Sequence, residues 1–278
     1  MIVSIASGKG GTGKTTVAAN LALSIGNVQF CDCDVEEPNA NVFLHVPIID
    51  STDVSIKTPL IDKEKCTYCG ACARFCAFHA MAVVKKQVLV FPELCHSCGG
   101  CAMVCPQDAI SWKHHKVGTV ETGKQEGISF VQGLLDVGES LAIPVIKAVK
   151  DRIVTDRHVI IDSPPGTACP MIESVQEADF CILVTEPTPF GLHDLKLAVN
   201  TVRHLYVPFG VIINRDGIGD KEVENYCRVE KIPILMKIPQ SEDIAHMYSR
   251  GEPFVTSSTH WKQQFQQLWQ RIQEEAAQ

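Results

Sequence analysis

The chain has 278 residues, a formal net charge of −7, 45% hydrophobic and 21% charged residues, which is apolar enough for a sizeable core and argues against wholesale disorder. Eight of its 13 cysteines lie between Cys66 and Cys105. No basic or Ser-rich leader precedes the first apolar run and no apolar stretch approaches the ~18 residues of a membrane span, so metal or redox chemistry in a reducing cytosol is expected rather than a secreted disulfide framework. An acidic chain also lacks the basic face that nucleic-acid binding needs.

The apolar run Ile2, Val3, Ile5, Ala6 reads as a buried parallel strand. A glycine-rich loop from Gly8 to Gly13 follows, then Val17, Ala18, Leu21, Ala22 and Ile25 at helical spacing with Gly26 as a stop. A second strand over 28–33 leads into Asp32-Cys33-Asp34. The α/β rhythm then breaks off for about 60 residues, roughly 57–116, and resumes at 158–162. Residues 128–135 suit part of a hairpin and 143–149 a helix. Further strands are expected over 158–162, 180–185, 209–213 and 232–236. Helical patterns between them fit βαβ crossovers and a mostly parallel, doubly wound sheet.

Inside the pause, residues 66–83 and 95–112 align without gaps at an offset of 29, with Cys66/Cys95, Cys69/Cys98, Gly70/Gly99, Cys72/Cys101, Cys76/Cys105 and Ala80/Ala109 identical. Duplication of one small unit explains this. Each run reads C-x₂-C-x₂-C-x₃-C, the bacterial spacing for cubane iron–sulfur clusters, in which the fourth cysteine reaches the other cluster. The expected ligands are Cys66, Cys69, Cys72 and Cys105 for one 4Fe–4S cluster, and Cys95, Cys98, Cys101 and Cys76 for the second. Pro106 follows the second run as the pattern expects, whereas Ala77 stands in that place after the first. Zinc is the competing reading, since C-x₂-C pairs also bind it; two complete runs and the repeat favour cubanes.

Gly8-Lys9-Gly10-Gly11-Thr12-Gly13-Lys14-Thr15 fulfils the P-loop pattern between a strand and a helix. Glycines let backbone N–H groups close around phosphate oxygens, and the helix N-terminus adds a favourable dipole. Lys14 is expected to reach the β- and γ-phosphates and the Thr15 hydroxyl to hold Mg²⁺. Gly8, Gly10, Gly11, Thr12, Gly13 and Thr16 complete the expected nucleotide-binding stretch.

With its extra Lys9, this loop resembles the deviant Walker motif of the MinD, ParA and nitrogenase iron protein superfamily. Asp32-Cys33-Asp34 resembles that family's switch I aspartates. Asp162-Ser163-Pro164-Pro165-Gly166 resembles its Walker B and switch II segment, and Asn214-Arg215 its adenine-binding segment. The resemblance implies an ATPase that dimerises around two sandwiched ATP molecules. It implies that Lys9 acts across the interface, that Asp34 positions the attacking water, that Asp162 holds Mg²⁺ through water and that Asn214 contacts adenine. The whole arrangement resembles the branch of that superfamily with an inserted ferredoxin. The expected fold is α/β, a P-loop NTPase sheet from 1–56 and 117–278, interrupted over 57–116 by a small α+β ferredoxin domain.

The 57–116 segment carries a formal charge of +4. Four thiolates around an oxidised cubane core carry about −2, so two clusters neutralise it approximately. Of the other cysteines, Cys31 and Cys181 read as buried small hydrophobes. Cys169 lies seven residues after Asp162, where the nitrogenase iron protein places a ligand of its intersubunit cluster, but no second such cysteine occurs between the insert and Asp162. Trp261, Phe265, Leu268 and Ile272 repeat at helical spacing near the end. The polar face there is mostly glutamine rather than basic, so docking on the ATPase is expected and membrane anchoring is not.

Three functions fit. The first is an ATPase whose nucleotide state gates electron transfer to a redox partner protein. The second is an iron–sulfur cluster carrier, although carriers in this superfamily use a C-x-x-C that this chain lacks after Cys105. The third is a positioning ATPase of the MinD or ParA type with the ferredoxin as a redox sensor or docking module.

Overall fold

The computed structural model describes residues 1–277. They form a nine-stranded sheet and a separate two-stranded one. The chain opens with β1 (Ile2–Ala6), α1 (Lys14–Ile25), β2 (Val28–Asp32) and a short α2 (Asn41–Leu44). Next comes β3 (Ile48–Ile61), then a small unit of α3 (Ala71–Phe75), β4 (Met81–Val84), β5 (Gln87–Val90) and α4 (Gly100–Met103). The return strand β6 (Ile110–Gln125) turns directly into β7 (Ile128–Leu135) and α5 (Ala142–Lys150).

The remaining units alternate: β8 (His158–Asp162), α6 (Cys169–Val175), β9 (Phe180–Thr185), α7 (Pro189–His204), β10 (Phe209–Asp216), α8 (Glu222–Val229) and β11 (Ile234–Pro239). Three helices close the chain, α9 (Glu242–Ser249), α10 (Phe254–Ser257) and α11 (Thr259–Ala276). The main sheet runs β11-β10-β9-β1-β8-β2-β7-β6-β3. Pairing is parallel from β11 to β7, and β6 is antiparallel to both its neighbours. The expected mostly parallel α/β sheet is present, with the 128–135 strand in its hairpin.

Period-two alternation puts neighbouring residues on opposite faces. Phe30, Ile160 and Ile182 join the core under α1, α10 and α11, while Cys31, Ile161 and Leu183 face the other layer, with α5, α6 and α7. Helix α11 buries Phe265, Leu268, Trp269 and Ile272 in the first core, each such side chain contributing roughly 1.5–3 kcal/mol by burial. Its apolar face is therefore occupied by the domain. Among the described residues no helix is long and apolar enough to cross a membrane.

The small unit hangs from a two-stranded ribbon. β3 pairs with β6 from Ile48↔Gly123 to Ile61↔Ile110, whereas β7 accompanies β6 only between Gly118 and Gln125. The half of the ribbon beyond Gly118 projects from the sheet and carries the cysteine runs at its end. Positions 57 and 116 lie within these strands, and no linker separates them from the sheet. The unit also touches the body: Ser140 Oγ donates to the Glu93 carbonyl at 2.8 Å, and His115 Nε2 lies 2.8 Å from Glu139 Oε1.

Candidate functional site

The loop between β1 and α1 owes its shape to specific glycines. Gly11 and Gly13 have φ of 76° and 95°, where a side chain is strained. A Cβ on Gly8 would strike the Asp194 backbone, and one on Gly13 the Asn214 amide. Gly13 caps α1 with no side-chain hydrogen bond, so first-turn N–H groups stay available for an anion. The neighbouring segments are tied to this loop, since Gly166 N–H donates to the Ser7 carbonyl at 3.0 Å and Cys33 N–H to the Asp162 carbonyl at 2.9 Å.

A groove of about 480 Å³ runs along the loop, lined by Gly10, Gly11, Gly13, Lys14, Thr15, Thr16, Asp34 and Asn214. Gly8, Thr12 and Asp162 lie behind this wall, and Lys9 points elsewhere: its Nζ is 3.5 Å from Glu186 Oε2. Asn214 is engaged within the chain, Nδ2 donating to the Thr12 carbonyl at 2.8 Å and Oδ1 accepting from Arg215 N–H at 3.0 Å. Beyond the expected residues, the groove is floored by Pro239, Gln240, Ile244, Tyr248 and Phe254. These come from the end of β11 and the helices after it, a region without a motif of its own.

Three carboxylates sit beneath or beside the groove. Asp32 is buried and accepts N–H bonds from Asp34 and Ala40, both at 3.1 Å. Burial and then the charge of Asp162 push its pKa well above the usual carboxylate range despite those bonds. Asp162 is equally buried and neither of its oxygens has a hydrogen-bond partner; burial first, then the Asp34 charge, raises it to about 7 against the pull of nearby Thr15 and Lys14. Asp34, partly exposed, rises to about 6, chiefly through burial, with Lys14 opposing and Glu37 and Glu36 adding. A buried carboxylate with no partner next to a P-loop threonine fits a site for a hydrated cation.

The cysteine unit contains two cavities. One is lined by Cys66, Cys69, Cys72 and Cys105, the other by Cys76, Cys95, Cys98 and Cys101. The fourth cysteine of each run thus crosses to the other run's cavity. Their volumes are about 20 and 170 Å³, so the first has room for about one water and the loop around it would have to open for anything larger. Among the described residues no three His, Cys, Asp or Glu side chains gather as ligands of one metal ion do; the eight thiols surround the two cavities instead.

The repeat is visible in the backbone. Gly70 and Gly99 start α3 and α4 with φ of 75° and 79°. Ala80 N–H donates to Cys76 Sγ at 3.3 Å and Ala109 N–H to Cys105 Sγ at 3.4 Å. Burial, with the other thiols of its cavity adding, pushes Cys101 up to about 11. The surroundings differ: the second cavity is walled by Phe75, Phe78, His96 and Trp112, where Phe78 and His96 stack at 3.6 Å. Cys31, Cys33, Cys181 and Cys227 are buried, while Cys169 is exposed at the start of α6.

Glu186 and Lys150 belong to no motif of the sequence, and Arg215 enters there only beside Asn214. Glu186 receives both Lys9 and Arg215. Lys150 joins α5 to α6, donating to the carbonyls of Glu173 and Gln176 at 2.7 and 3.1 Å.

Comparison with known proteins agrees with the α/β reading. A family description, the CobQ/CobB/MinD/ParA nucleotide binding domain, matches residues 3–254. The uncharacterized protein MJ0579 of Methanocaldococcus jannaschii is 31% identical over 261 residues, covering 92% of this chain and 91% of that protein. An iron–sulfur cluster carrier protein of Aquifex aeolicus is 24% identical, covering 92% of this chain and 62% of the carrier. The septum site-determining protein MinD of Pyrococcus horikoshii, solved with Mg-ADP, superposes with a TM-score of 0.60 at 20% identity, covering 96% of this chain and 93% of that one.

Proposed function

Because this chain belongs to the CobQ/CobB/MinD/ParA nucleotide-binding family, we propose that it is an ATP-hydrolysing iron–sulfur protein whose nucleotide state gates electron transfer through two 4Fe–4S clusters. The observation that carries the proposal is the crossed distribution of eight cysteines around two cavities at the end of a ribbon continuous with the P-loop sheet.

In this reading the loop N–H groups and Lys14 take the phosphates, Thr15 and the buried Asp162 serve Mg²⁺, and Asp34 orients the attacking water. Asn214 exchanges its bond to Thr12 for adenine, and Lys9 serves the nucleotide of a second copy in an ATP-sandwich dimer. Cys66, Cys69, Cys72 and Cys105 would hold one cluster, and Cys76, Cys95, Cys98 and Cys101 the other. When bound, each supplies a one-electron centre. The protein holds their thiolates and donates backbone N–H groups to two of them, which favours the more negative reduced state. The ferredoxin unit over 57–116 is then a discontinuity in one ATPase domain, 1–56 and 117–278, working with a redox partner.

Anaerobic purification with iron and sulfide analysis tests the donor sets. About eight of each per chain are expected, and a colourless, zinc-bearing protein contradicts the reading.

A second reading, cluster carriage, has the resemblance to the Aquifex carrier in its favour. Thiol ligands supplied four to a cavity favour retention over donation. Incubation with an apo-acceptor separates the two: ATP-dependent loss of iron from the holoprotein supports carriage, and retention supports electron transfer.

A further inference from the structure

The geometry points to Glu186 as the positioning residue that holds Lys9 at home until a second copy of the chain offers its nucleotide. The inference rests on the reading of Lys9 as the lysine that crosses to that second copy.

Glu186 follows β9, and its backbone is fixed. Its carbonyl accepts Thr188 N–H at 2.8 Å, and Gly191 is tucked so close beneath that a Cβ there would strike the same oxygen. The side chain is only 9% exposed and its two oxygens serve different cations. Arg215 Nη1 donates to Oε1 at 2.6 Å, a short charge-assisted bond. Lys9 Nζ stands 3.5 Å from Oε2, an ion pair with no tight hydrogen bond, and Lys9 is 33% exposed. The carboxylate is thus anchored by arginine and holds lysine loosely. Lys9 itself hangs from a backbone fixed by Ser7 Oγ, which donates to its carbonyl at 2.6 Å. Only side-chain rotation is needed to release it. Arg215 adjoins Asn214 and lines the nucleotide groove, so the anchor of the carboxylate belongs to the same site that the nucleotide fills.

Glu186→Gln keeps an acceptor for Arg215 and removes the charge that retains Lys9. Self-association with a non-hydrolysable ATP analogue, followed by sedimentation velocity, is expected to tighten about two- to five-fold, the range of a partly exposed ion pair. The gain is expected to shrink at high salt, because screening weakens the wild-type pair. Arg215→Gln, measured at saturating nucleotide, leaves the carboxylate to Lys9 alone and is expected to weaken association by a similar factor. Opposite signs from two neighbouring substitutions are not what a general loss of structure produces. Glu186→Gln that keeps its thermal midpoint and ADP affinity yet associates no more tightly than wild type overturns the inference. If that variant does not hold its midpoint, Arg215→Gln decides, and unchanged or tighter association overturns it. Lys9→Ala separates the underlying reading: lost association with the analogue supports it, and wild-type association overturns both.

Discussion

Asp32 and Asp162 occupy the same rung of adjacent parallel strands, β2 and β8, and neither side chain is exposed. Two carboxylates at the carboxyl ends of neighbouring strands are where an open α/β sheet binds its ligands. Their cost to the free protein follows from burial. The folded pKa of Asp162 is raised above its ordinary 3.8 to about 7. Its contribution to stability is therefore fully present below pH about 4 and lost as pH rises through about 7. Asp162→Asn is expected to abolish ATP hydrolysis while raising stability at pH 8 by on the order of 1–3 kcal/mol. Thermal unfolding from pH 4 to 8 checks both sign and window; a variant less stable than wild type at pH 8 contradicts the account.

With Asp34 in the proposed role of orienting the attacking water, hydrolysis is expected to have an acid limb. Burial lifts the Asp34 pKa to about 6, and its ionised form is the stronger hydrogen-bond acceptor and the only one able to take a proton from the attacking water. The steady-state ATPase rate is expected to fall as pH drops below about 6. Asp34→Asn is expected to lose 10²-fold or more, the ordinary range for a positioned base, and to lose that limb. An unchanged pH profile in the variant assigns the limb to another group.

Crossed ligation is separable from ligation within each run by iron content. Cys69→Ser and Cys105→Ser lie on different runs but line one cavity. The double variant is expected to keep about four irons, since one cluster retains all its ligands. Loss of both clusters supports ligation within runs.

Lys150 links the small unit's support to the segment after Asp162. It is 10% exposed, ion-pairs with Glu177 at 3.2 Å and joins α5, packed on β6 and β7, to the end of α6. Lys150→Met removes these bonds at roughly constant length and is expected to cost about 1–3 kcal/mol. ATP-dependent changes in hydrogen exchange along α5 are expected to weaken in it; full wild-type changes place the coupling elsewhere.

Much of this was legible because the signals are dense. The P-loop and the cysteine repeat each put several required residues within a few positions, and the apolar stripe of α11 announced its docking. β3 was not legible. From Ile48 to Ser55 almost every residue is exposed, and the stretch carries Asp50, Ser51, Thr52 and Asp53; an edge strand facing water lacks the apolar pattern that marks buried ones. The ribbon therefore begins nine residues before the expected insert, at Ile48 against 57. Glu186 and Lys150 escaped notice for another reason. Their roles are set by partners far away in sequence, Lys9 and Arg215 for one, Glu173 and Gln176 for the other, and no local spacing encodes such contacts.

In the proposed function, nucleotide state and redox state are linked in one molecule. Redox titration of the anaerobically purified protein, with and without a saturating ATP analogue, reads that linkage directly. The cluster potentials are expected to shift with nucleotide, and the shift to vanish in Lys14→Ala. Potentials that are the same in both states, in a protein that binds nucleotide and carries its iron, contradict the linkage.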